Sequence, residues 1–414
     1  MILPKKVKSN SKEILQIYNS LLSTQTEAQS KHLQNTHFLY SFSKSQALPP
    51  QTNKPSIKPP EHSEELGFKI NEISVDELFA KYKENGFIYP EKMVKLAPYF
   101  EKIKKNWEKL LLKNQSLLSI YTYENPSTHH WASVCSWKEN QELWCCQHLS
   151  SNGNPIGSRA VLLGMQKGFI DNAPTQQCNY VQNWFRPNNK YATKVFGTLQ
   201  NTVNKTISCI FEHCYLAVSL QSTLPKEQDI IIKEYEPTHL EELINFLTIH
   251  RHQIFVESGG FKSDNIQLEK TNNLYQSIGL FKKRHILLAF SKSQLVGVAI
   301  AYRSPIGLNF SFLENRCELI INKNLKSDLS QKISTSLLSS ARCYYTTFEA
   351  PYMPVITDNH NAILLTIMGH NIIRKYNQSI WSKDGYQDWY KNVDKIFSRV
   401  CEREKRKSLV HAAN

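Results

Sequence analysis

The period of the apolar residues changes several times along the chain, and each change marks an element. SVDELFAKYKENG reads as a helix, with Ser74 as N-cap, Glu77 three residues on to complete a capping box, and Gly86 as its stop. Pro90 opens what reads as one longer helix, placing Met93, Leu96, Tyr99, Ile103 and Trp107 at helical spacing as a core-facing stripe. Three short β-branched or aromatic runs separated by polar turns follow: LLSIYTYE (117–124), HWASVCSWKE (130–139) and ELWCCQHL (142–149). They predict an antiparallel meander. A strong turn signal, SSNGNPIGSRA, leads into the helical RAVLLGMQKGF. NYVQNWF (179–185) then reads as a strand, Asn189 through Phe196 as a helix, and ISCIFEHCYLAVSL (207–220) as a strand or hairpin half.

The second half repeats that order. IIIKEY (230–235) is a predicted strand and PTHLEELINFLTIHR a helix with Leu240, Leu243, Ile244 and Leu247 on one face. HILLAFS (285–291), QLVGVAIAY (294–302) and GLNFSFLENRCELIIN (307–322) make a second predicted meander. The helix LSQKISTSLLSSARC, the strand YYTTFEAP, the helix NHNAILLTIMGH and the strand RKYNQSIW complete it. The order β-α-β-β-β-α-β-α-β thus occurs twice. It predicts an α/β (α+β) protein of two tandem domains, 66–225 and 226–400, each a mixed, mostly antiparallel sheet flanked by helices.

Composition refines the ends more than the middle. The 414 residues are 41% apolar, enough for packed cores, and carry a formal charge of +14. Residues 1–62 hold eight lysines and three glutamates, and the chain from Cys401 adds four basic and two acidic residues. About half of the excess therefore sits in a flexible, basic, proline-containing arm (1–65) and a basic tail (401–414), which weakens the case for a nucleic-acid groove. The nine cysteines are odd in number and none has Cys-x-x-Cys spacing. Cys209 with Cys214 is the one weak pair, so metal binding is not expected. No apolar run approaches the ~20 residues of a membrane span. Reduced thiols and the lack of an apolar stretch after Lys5, Lys6 and Lys8 point to the cytoplasm.

Two segments carry a shared mark: NKYATKVFG (189–197) and NHNAILLTIMG (359–369) each follow a strand, open on Asn, place Ala three residues later and close near Gly. Asn suits a helix N-cap, and Ala lets the helix lie close on a sheet. With these marks the sequence resembles the GNAT superfamily of acyl-CoA-dependent N-acyltransferases, best over 228–390 and less closely over 95–220. The resemblance implies acetyl-CoA or another acyl-CoA as co-substrate. It also implies a glycine-containing pyrophosphate loop ahead of a helix, where backbone N–H groups meet phosphate. In the first half that segment is Asn152, Gly153, Asn154, Gly157, Ser158 and Arg159, with Asn189 opening the later helix. The equivalent NKNLKSDLSQKIS of the second half has no glycine.

The resemblance further implies a base on the fourth strand and a Tyr acid on the helix after the Asn. Candidate bases are His148 and Glu318, each weighed against an ordinary strand residue. The positions implied for the acid hold Phe196 and Thr366, neither able to serve as that Tyr. Three functions stand at this stage. The first is an N-acyltransferase acting on an unknown amine of a small molecule or protein. The second is a catalytically degenerate tandem pair that binds a ligand or partner. The third is an aminoacyl-tRNA-dependent transferase resembling the FemABX group.

Overall fold

Two rounds of the same element order are laid into a single sheet. The computed structural model describes residues 68–112, 116–153, 155–176, 178–197, 205–221, 229–262 and 266–413, all within the unit Glu65–Asn414. The N-terminal arm expected over 1–65 and the candidate Asn154 lie outside the described residues.

The first round runs β1 (Lys69–Ile70), α1 (Val75–Glu84), α2 (Pro90–Leu96), α3 (Phe100–Leu111), β2 (Leu118–Asn125), β3 (His130–Lys138), β4 (Leu143–Ser151), α4 (Pro155–Gln176), β5 (Tyr180–Phe185), α5 (Lys190–Phe196) and β6 (Ser208–Ser219). The second runs β7 (Ile231–Glu234), α6 (Leu240–His250), α7 (Gln253–Ser258), α8 (Glu269–Gln276), β8 (Lys283–Ser291), β9 (Gln294–Arg303), β10 (Cys317–Ile321), α9 (Ser327–Ala341), β11 (Tyr352–Thr357), α10 (Asn359–Ile367) and β12 (Ile372–Ser382). A closing helix, α11 (Lys383–Ala413), carries the basic residues after Cys401.

The twelve strands lie in the order β1-β2-β3-β4-β5-β12-β6-β11-β10-β9-β8-β7. Both predicted meanders are present and antiparallel. The parallel contacts are β4 with β5 and β10 with β11, one in each round. The last strands are exchanged: β12 pairs with β5, β6 pairs with β11, and β6 and β12 pair with each other at the centre. The strands of the two rounds therefore form one continuous sheet. Its cores are shared too. Leu216 and Val218 of β6 pack in one apolar cluster with Met353 and Val355 of β11. Trp381 and Trp389 pack with Val161, Met165 and Phe196 of the first round.

Three elements differ from the sequence pattern, each for a physical reason. The stripe from Met93 to Trp107 is split into α2 and α3 by a 3-10 turn at Ala97–Tyr99, because Pro98 has no N–H for the helical ladder. The run from Gly307 to Asn315 is loop and 3-10 turn rather than strand. Its Leu308, Phe310 and Phe312 are buried in the same cluster as Trp107, and Trp107 Nε1 donates to the Gly307 carbonyl at 2.9 Å. YYTTFEAP is a 3-10 turn and loop, and the fifth strand is YMPVIT. Pro354 disguises that strand, and it sits one residue before pairing with β10 begins at Val355.

Candidate functional site

Pairing between β4 and β5 spans Leu143–Cys146 and Tyr180–Asn183 and then stops, while β4 continues to Ser151. Side chains close the base of this fork: Asn183 Nδ2 donates to the Cys146 carbonyl at 2.6 Å and Gln147 Nε2 to that of Trp184 at 3.1 Å. Beyond them β4 bends. Two of its residues, His148 and Leu149, face one position of β3, and His148 takes a left-handed φ of 59°. Such bulges aim a side chain away from the regular pleat. The second fork is shorter. β10 and β11 pair only at Cys317–Val355 and Glu318–Ile356, and the Thr357 hydroxyl bridges to the Leu319 carbonyl at 2.8 Å.

The turn from β4 into α4 gathers the candidate loop residues. Asn152 accepts from the Trp131 N–H at 3.2 Å and donates to the His129 carbonyl, tying the turn to the start of β3. Gly153 has φ 96°, which suits glycine at the tip. Gly157 is a packing glycine: a Cβ there would lie 3.0 Å from Ala132 and 3.1 Å from Tyr123. The Ser158 hydroxyl donates to Ser151 at 3.2 Å. Arg159 pairs with Asp394 of α11 at 2.8 Å, a contact that raises its pKa and anchors the closing helix. Asn189 caps α5 by accepting from the Ala192 N–H at 3.1 Å.

Tyr191, on α5 beside the cap, lies near in sequence to the position implied for the acid, though not at it. Its hydroxyl is hydrogen-bonded to Ser158, and burial raises its pKa to about 12 despite that bond. It is a protonated phenol beside the first turn of α4.

The two candidate bases are held apart. His148 is 5% exposed and packs against the rings of Trp107 and Phe310, with centroids at 5.4 and 4.5 Å, and those two rings also touch each other at 6.1 Å. Neither ring nitrogen has a hydrogen-bond partner among the described residues. Burial, reinforced by the nearby Lys92 charge, drives its pKa well below the usual histidine value, so it is neutral. Glu318, on β10, is fully buried and ion-paired with Arg251 at 3.3 Å and Arg316 at 3.8 Å. Phe196 stacks on Trp389, and the Thr366 hydroxyl donates to the Ala362 carbonyl. Cys209 and Cys214 stand five residues apart on β6, which puts their side chains on opposite faces.

A second polar cluster lies where the rounds meet. Glu139 pairs with Lys282 at 2.8 Å and accepts from Trp137 Nε1 at 2.8 Å. Glu314 and Cys145 come within 4.8 Å of it. A cavity of about 20 Å³ opens beside this group, lined by Glu139, Gln182, Arg284, Arg316 and Gln378 among others. That is room for one water.

Among solved structures the chain is similar to GNAT acetyltransferases at low identity. A tandem GNAT protein from the clavulanic acid biosynthesis pathway is 10% identical with a TM-score of 0.34, over 64% of this chain and 83% of that one. A GCN5-related N-acetyltransferase from Kribbella flavida is 10% identical with a TM-score of 0.33, over 60% and 86%. Another, from Sphaerobacter thermophilus, is 10% identical with a TM-score of 0.32, over 68% and 85%. No family model and no curated protein matches the chain. Among the described residues no helix is long and apolar enough to cross a membrane.

Proposed function

We propose that the chain is an N-acyltransferase that moves an acyl group, acetyl in the simplest case, from acyl-CoA to an amine, with the donor held at the first fork. The observation that carries this reading is the fork itself. Beyond Cys146 the β4 edge has no pairing with β5, so an extended ligand with amide groups can add to that edge as a strand would. The edge ends at the start of a 22-residue helix, where backbone N–H groups and the helix dipole favour phosphate.

The chemistry needs few groups. An unprotonated amine attacks the thioester carbonyl carbon to form the carbon–nitrogen bond, the carbon–sulfur bond breaks, the leaving thiolate takes a proton, and the new amide nitrogen sheds one to solvent, from which the proton donor is restored. Tyr191 is the donor of that proton in this reading, since its raised pKa keeps it protonated at neutral pH. His148 is sealed by aromatic rings and Glu318 by two arginines, so the amine loses its own proton to solvent before attack.

The sealing of both fourth-strand candidates also favours a second reading, a ligand-binding protein without turnover. Release of free CoA from acetyl-CoA in the presence of an amine panel separates the two. Turnover is expected, and Tyr191→Phe should lower it roughly 100-fold while leaving acetyl-CoA affinity unchanged. Thermal stabilisation by acetyl-CoA with no thiol released would leave the binding reading standing and end the catalytic one.

A further inference from the structure

Four cations converge beside the first fork from three separate segments. Lys92 and Lys95 lie one turn apart on α2, Arg186 follows β5, and Arg374 opens the regular part of β12. All four are half-buried. For Lys92 and Lys95, aromatic rings stand in where carboxylates would be expected. The Lys92 ammonium is 4.3 Å from the Phe87 ring centroid and donates to the Phe87 carbonyl at 2.7 Å. The Lys95 ammonium is 4.5 Å from the Phe312 ring. Arg186 donates to the Tyr89 hydroxyl at 2.8 Å, and Arg374 bonds to the same oxygen.

The charges acting on Lys92 are Arg186, Arg374 and Lys95, and those acting on Lys95 are Arg374 and Arg186. Among the described residues no carboxylate forms an ion pair with Lys92, Lys95 or Arg186. Burial first, then these like charges, lowers both lysines to about 7. The same two arginines overcome burial and pull the Tyr89 phenol below its usual value. Like charges gathered in a half-buried cluster are unfavourable on their own. Cation–π contact offsets part of that cost without cancelling the charge.

We infer that Lys92, Lys95, Arg186 and Arg374 form a binding site for the phosphate group of a small-molecule ligand. Two guanidiniums supply the planar forks that match phosphate oxygens, and two ammonium groups supply point charge around them. Both rounds of the fold contribute, since Arg374 comes from the second and the other three from the first. The inference stands apart from acyl transfer, because it concerns binding alone. The phosphate can come from the acyl donor or from a phosphorylated acceptor, and the test separates them.

The test is calorimetric titration of inorganic pyrophosphate into the full chain at fixed ionic strength, beside the double variant Lys95→Met/Arg186→Gln. Saturable binding is expected in the wild type and at least tenfold weaker binding in the variant. The variant should melt no lower than wild type, because removing two crowded charges relieves repulsion. If it fails to fold, Arg186→Lys, which keeps the charge and loses the fork, should still weaken binding several-fold. Equal affinity in wild type and in the folded variants, or no binding at millimolar pyrophosphate, overturns the site. Competition between CoA and pyrophosphate assigns the phosphate to the donor, and simultaneous binding assigns it to the acceptor. Neither result depends on whether CoA is turned over.

Discussion

At the scale of single residues, Glu314 and Glu139 show how burial decides ionisation. Both are almost fully buried, and one ammonium, Lys282, lies at 2.8 Å from Glu139. Burial opposes the charge of Glu139, but Lys282 and Arg316 outweigh it and hold its carboxyl below the usual range. Glu314 is left with the cost of burial and the repulsion of Glu139, which push its pKa up to about 8. In the unfolded chain a Glu titrates near ~4.3. Between those values the native state keeps a proton that the unfolded state has released, so this group's contribution to stability is present at low pH and lost as pH rises through 8. Glu314→Gln removes that dependence. Relative to wild type the variant should gain thermal stability steadily from pH 5 to 8. A difference in melting temperature that stays flat across pH 5 to 9 would show that Glu314 ionises normally. None of this was legible in the sequence, where Glu139, Lys282 and Glu314 are scattered positions that only the fold brings together.

At the scale of elements, the two Asn-x-x-Ala marks are less alike than their letters. Asn189 caps α5 and its partner Ala192 is three residues on. In the second round the cap is Asp358, which accepts from the Asn361 N–H at 3.0 Å, and Asn359 is already the first helical residue. The consequence is measurable by thermal or urea denaturation. Asn189→Ala and Asp358→Ala should each cost about 1 kcal/mol, and Asn359→Ala distinctly less. A larger loss from Asn359→Ala than from Asp358→Ala would refute the assignment. Local chemistry made both helices readable, because caps and apolar spacing act over a few residues. The fifth strand of the second round was misplaced for the complementary reason: Pro354 argues against a strand locally, and the sheet overrides it by pairing Tyr352–Thr357 with β6.

At the scale of the molecule, the exchanged strands make the rounds interdependent. β12 supplies the neighbour that β5 lacks, and β6 does the same for β11. Separating them would expose two sheet edges and split the shared apolar clusters. Further contacts cross the same boundary, among them Glu139–Lys282 and the hydrogen bond from Asn140 Nδ2 to the Ser258 carbonyl at 2.8 Å. Fragments 65–225 and 226–414 should each be insoluble or unfolded when produced alone and should copurify when produced together. A cooperative unfolding transition in either isolated fragment would contradict this.

The sequence by itself determined the element types, their repeated order and the two meanders, since alternation, helical spacing and turn residues are short-range signals. It also singled out the β4–α4 turn. It did not determine which strand lies beside which, because pairing of β5 with β12 joins residues far apart in the chain and leaves no local trace. The tertiary structure alone decided that His148 and Glu318 are sealed, that Tyr191 meets Ser158, and that Lys92, Lys95, Arg186 and Arg374 come together. Burial and charge proximity are properties of packing, and packing is set by the exchange at the centre of the sheet.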